Sequence, residues 1–143
     1  MIQDRGWNRL CTTLALLGAV GLAGCAGENL FTAQIATNQN GPKPTITSPA
    51  DGSPVVLNSS LVVTFDIDAP DGAASYTALG RYVGQELSAY ESVSQALGAT
   101  AVSASATMAP AIGQVTGEVY VVVEISDIDG DTGRDSVRVT IEN

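Results

Sequence analysis

Side chains that commonly do chemistry are scarce in this chain, and that scarcity is the first constraint on what it does. There is no histidine, Lys43 is the only lysine, and the cysteines are Cys11 and Cys25. Without histidine the usual general base is gone, and with it the Ser-His and Cys-His nucleophile pairs and the usual zinc ligands. Lys43 stands between Pro42 and Pro44, a setting that argues against a buried Ser-Lys pair. Two carboxylates alone can hydrolyse glycosides. That work needs a cleft, however, and the few aromatics, chiefly Tyr76, Tyr82, Tyr90 and Tyr120, form no evident sugar platform. The chain is therefore not expected to be an enzyme.

Aspartate is the exception to this poverty. Asp66, Asp68 and Asp71 form one group, and Asp127, Asp129 and Asp131 another. Calcium, a hard cation taking roughly six to eight oxygens, would suit them if they converged. The second group is not an EF-hand: counted from Asp127, Thr132 stands where the loop needs glycine and Arg138 where it needs glutamate. The competing expectation is that aspartates beside Gly72, Gly130 and Gly133 cap their own turns and need no metal. Calcium is the only cofactor the residues suggest.

Cys25 is a different case because of what precedes it. "MIQDRGWNR" carries Arg5 and Arg9, and Leu10 to Leu22 is a run of about thirteen residues without a charge. A membrane span needs about 20 apolar residues, and Gly18, Gly21 and Gly24 weaken a helix that must stand alone. The run matches the hydrophobic region of a signal peptide better than a span or a buried helix. Its end, Leu22-Ala23-Gly24-Cys25, resembles the lipobox of bacterial lipoproteins. The resemblance implies diacylglycerol on the Cys25 thiol, cleavage just before it, and an acylated amine. It further implies a bacterial envelope location, and, with Ala26 after the cysteine, the outer membrane in a Gram-negative cell. Cys11 would leave with the signal and Cys25 would carry lipid, so no disulfide is expected.

Three segments follow: a signal peptide over 1–24, the lipidated cysteine and a flexible tether over 25–43, and a globular domain over 44–143. Without the signal, the chain has four cations, Lys43, Arg81, Arg134 and Arg138, against fourteen carboxylates, a net charge of −10. Nucleic acid is excluded as a partner, since phosphate binding needs a basic surface. Anionic head groups would be repelled too, which leaves the lipid as the means of membrane attachment. The tether, extended, reaches about 60 Å. Leu30, Phe31 and Ile35 are its only large apolar side chains, suited to docking on the domain or on a partner.

From Pro44 onward short β-branched runs alternate with turn residues. Leu61, Val63, Phe65 and Ile67 share one face of a strand; Val119, Val121, Val123 and Ile125 share another; Val137, Val139 and Ile141 a third. "DIDGDTG" between the last two suits a tight hairpin. This order, with Pro-Ala-Asp-Gly after the first strand and a closing hairpin "GEVYVVVEISDIDGDTGRDSVRVTIEN", resembles bacterial immunoglobulin-like domains. An all-β antiparallel sandwich is thus expected, without the cysteine pair and core tryptophan of antibody domains. The resemblance also implies that the two aspartate loops lie at one end.

Residues 72–116 are harder to read. "SYTALGRYV" and "TAVSASATM" suggest strands, while Leu87, Tyr90 or Glu91, Ser94 and Leu97 have loose helical spacing with Gly98 as a stop. Two or three strands and one short helix are expected there, and this Ala-Ser-rich insert is a place for a partner surface. The expectation for function is a noncatalytic, lipid-anchored envelope protein, a binding or structural module or an accessory subunit of a larger membrane-associated assembly. The alternative is a calcium-dependent adhesion or carbohydrate-binding domain at the cell surface.

Overall fold

The computed structural model describes residues 41–143. The expected signal segment, Cys25 and most of the tether lie outside them. Eight strands follow one another: β1 (Lys43–Ser48), β2 (Ser53–Val56), β3 (Leu61–Asp68), β4 (Ala73–Tyr82), β5 (Ser88–Ala96), β6 (Ser103–Met108), β7 (Gly117–Asp127) and β8 (Thr132–Glu142). They form a three-stranded sheet in the order β1-β3-β6 and a five-stranded sheet in the order β2-β8-β7-β4-β5.

The chain changes sheets between its first two strands. β1 pairs antiparallel with β3, and β2 pairs parallel with β8. The Pro-Ala-Asp-Gly turn fixes that switch: the Asp51 carboxylate accepts the Arg138 N–H at 2.8 Å, and the Gly52 N–H donates to the Arg138 carbonyl at 2.7 Å. Gly52 adopts φ 78°, a left-handed conformation that a side chain would strain.

Strand periodicity delivers the core. On β3 the buried residues are Leu61, Val63, Phe65 and Ile67, while Val62, Asp66 and Asp68 are exposed. β7 turns Val119, Val121, Val123 and Ile125 inward, and β8 adds Val139 and Ile141 with Val137 partly buried beside them. Phe65 meets Tyr76 edge to face, with ring centroids 5.1 Å apart, so the two sheets are joined through aromatic contact.

The expected helix is a correction. Leu87–Leu97 forms no helix, and there is none among the described residues; Ser88–Ala96 is strand β5, paired antiparallel with β4. The strand period is masked because the register shifts twice beside Gly80. There the Tyr90 ring lies so close that a Cβ on Gly80 would stand 2.8 Å from it. Beyond the bulge most of β5 is exposed on both faces, Ser94 included, and Leu87 is exposed too, so no two-residue alternation shows and the helical spacing is incidental. Gly98 stops nothing helical and instead accepts the Ala101 N–H in a turn.

Candidate functional site

The two aspartate groups do sit at one end of the sandwich. The β3–β4 turn and the β7–β8 hairpin are joined by the Ile128 N–H donating to the Gly72 carbonyl at 3.1 Å. Their carboxylates nevertheless take different directions. Asp66 and Asp68 lie on the exposed face of β3, where Asp68 is opposite Lys43 and Asp66 opposite Thr45. Asp71 and Asp129 are exposed, Asp131 is half-buried, and Asp127 is buried. Asp127 is committed to its own hairpin: one carboxylate oxygen accepts the N–H of Asp129 at 3.0 Å and of Asp131 at 2.8 Å. Among the described residues no group of three or more acidic side chains is placed to hold a metal ion.

This acidic end is also where the chain enters the domain. Gly41 and Pro42 are already buried, and Pro42 packs on Gly133 so closely that a Cβ there would overlap the Pro42 carbonyl. The described chain therefore begins, at Gly41, on the side of Asp68, Asp71 and Asp129.

The opposite end is built differently. It consists of the loops 57–60, 83–87 and 109–116, and two side chains bind them together. Gln114, buried, accepts the Asn58 N–H at 2.7 Å and donates to the Ala89 carbonyl at 2.8 Å. The Tyr82 hydroxyl accepts the Val115 N–H and donates to the Val115 carbonyl, each at 2.8 Å. Above this frame stand Val56, Leu87, Ile112 and Val115, at 64%, 64%, 102% and 58% exposure. Val56 closes β2 and the other three stand on loops already held in place, so contact with them would cost little loop entropy. The frame itself escapes sequence reading. Gln114 is a single polar residue in an aperiodic stretch, and the only local signal is the turn chemistry of Asn58-Ser59-Ser60, where Asn58 adopts φ 59°.

Beneath these loops Tyr90 is buried, its hydroxyl near the Gln114 side chain but making no hydrogen bond of ordinary geometry. Burial pushes its pKa above the ordinary tyrosine value, the neighbouring Gln114 amide opposing the rise and Tyr82 adding to it. On the outer face of the five-stranded sheet Arg134 pairs with Glu124, and Arg138 with Glu118 at 3.7 Å. Arg138 also lies over the Tyr120 ring, 5.4 Å from its centroid. These exposed ion pairs contribute little to stability.

Two facing sheets, a chain that changes sheet between its first two strands, and loops gathered at both ends define an immunoglobulin-like β-sandwich module. No protein-family model matches the chain, and no curated protein matches it. Solved structures with a similar course include the fibronectin(III)-like modules of Clostridium thermocellum CbhA, at TM-score 0.49 and 17% identity, covering 71% of this chain and 46% of that one. The superoxide reductase (neelaredoxin) of Ignicoccus hospitalis has TM-score 0.49 and 11% identity over 76% of this chain and 89% of its own. The titin M3 domain has TM-score 0.40 and 12% identity over 71% and 98%. The chain thus spans less than half the length of the CbhA structure. At these scores the class rests on the strand order and register, and none of these proteins' activities carries over.

Proposed function

We propose that the protein is a noncatalytic, lipid-anchored module of the bacterial envelope that holds its far loop end toward a protein partner. The observation that supports this reading is the division of the domain's ends: the chain enters beside the aspartates, and Val56, Leu87, Ile112 and Val115 are exposed at the other end. Acyl chains on Cys25 fix the protein to a leaflet, the outer membrane in a Gram-negative cell. A tether carries the domain outward, and the acidic end, nearest the anchor along the chain, gains no hold on anionic head groups. Two or more acyl chains give stable anchoring, at about 0.8 kcal/mol per buried methylene, whereas one is marginal. No step of this mechanism needs a cofactor.

A photoreactive residue placed at Ile112 or at Asp129 in cells tests the orientation. The reading expects a discrete protein adduct from position 112 and none from 129. Adducts from 129 alone, or from neither position, contradict it.

A further inference from the structure

The sandwich has four strand edges, and they are unequally protected. β1 carries Lys43 and Pro44, and β2 is four residues long with Pro54; charge, proline and brevity are the usual guards against edge pairing. β5 and β6 have neither proline nor lysine, and Glu91 is their one charge. Part of the β5 edge is closed by the chain itself, where the Glu91 N–H donates to the Ala109 carbonyl at 2.9 Å and the Ala111 N–H to the Ala89 carbonyl at 3.0 Å. Beyond that point β5 borders no further strand.

The register identifies the free groups. The Leu97 N–H donates inward to the Ala74 carbonyl at 2.8 Å, while Ala96 is opposite Ser75 and Ser94 opposite Thr77. By antiparallel alternation Ala96 and Ser94 therefore turn their N–H and C=O groups away from β4. Charge selects what meets them. Residues 92–108 contain no Asp, Glu, Lys or Arg, in a chain of net charge −9, so this flank is where two equally acidic bodies approach without opposing carboxylates. A basic partner would be drawn to the aspartate end instead.

We propose that two copies of the domain pair antiparallel through residues 92–96 of β5, joining their five-stranded sheets into one. A pairing centred on Ser94 sets Ser92 against Ala96 and brings no like charges together. It uses the flank of the sandwich and leaves the loop end free for the partner proposed above. The two N-terminal ends then point opposite ways, so the joined sheet lies with its strands along the membrane and one loop end exposed at each side. For chains anchored at Cys25, the residues up to Gly41 extend to about 50 Å, longer than the roughly 37 Å of an eleven-residue strand, so both tethers reach one surface.

Residues 41–143 contain all eight strands and bury the core among themselves, so sedimentation equilibrium on this segment is the test. The expected result is a reversible dimer that tightens between about 0.05 M and about 0.5 M NaCl, as screening reduces repulsion between the acidic bodies. Ser94→Asp sets two carboxylates against each other and should weaken the dimer about tenfold or more. Ser136→Asp, adding the same charge on the outer face of β8, should leave it unchanged, with thermal melts confirming that both variants fold. A monomer up to about millimolar concentration, where only dissociation constants weaker than that escape detection, overturns the proposal. Equal dimerisation of the two variants overturns it as well.

Discussion

Tyr90 keeps a polar atom in the core without a hydrogen bond of ordinary geometry, and an unsatisfied buried group of this kind costs about 1–3 kcal/mol. Tyr90→Phe removes that cost and leaves the ring, so the variant should be more stable than the parent by about 1 kcal/mol in a denaturant titration. The pH dependence follows from the raised pKa. The unfolded chain ionises this phenol near its ordinary value while the folded chain does not, so stability is intact below the unfolded pKa and falls as pH rises toward the folded one. Tyr90→Phe should therefore lose less stability than the parent above about pH 10. Asp127 is the opposite case, a buried carboxylate whose oxygen accepts two hairpin N–H groups. Asp127→Ala should destabilise the domain by about 1–3 kcal/mol, whereas Asp129→Ala, at an exposed position, should stay within about 0.5 kcal/mol. Since Asp127 is so committed, millimolar calcium should leave the melting temperature where an ionic-strength control leaves it. A calcium-specific rise that Asp68→Asn with Asp129→Asn abolishes would instead revive the metal reading.

At the scale of elements, legibility depended on whether one face of a strand was buried without interruption. β3 and β7 show their alternation in the sequence because every second residue enters the core. Phe65, on β3 and in contact with Tyr76, should accordingly cost about 3–5 kcal/mol when cut to alanine, measured by chemical denaturation. β5 was not legible because its register shifts beside Gly80, and β2 is too short to show any period. The aspartate loops were placed at the correct end from the expected fold, but the direction of each carboxylate depends on which face of its strand it occupies and on hairpin geometry. The far loop end was invisible for a related reason: its order comes from Gln114 and Tyr82 acting across 25 to 56 residues of sequence. Gln114→Ala removes the acceptor of the Asn58 N–H and should accelerate hydrogen exchange at that amide, leaving the β3 and β7 amides slow. Unchanged exchange at Asn58 would mean that the loops hold together without Gln114.

For the whole molecule, the division between its ends gives the proposed account its direction. Carboxylates gather where the chain enters, beside exposed Val102 and Ile128, four exposed aliphatic side chains stand at the far end, and the flank formed by residues 92–108 carries no charge. An acidic body of this kind gains no hold on an anionic leaflet from its own surface, so the account depends on covalent lipid at Cys25. Replacing Cys25 by serine should abolish fatty-acid labelling and leave the precursor uncut, while Cys11→Ser should do neither. The most direct test is the intact mass of the protein taken from native membranes. The account predicts a chain lacking residues 1–24, heavier than its polypeptide by a diacylglyceryl group and an amine-linked acyl chain. A mass equal to the unmodified chain with Met1 or its neighbours still present would contradict it.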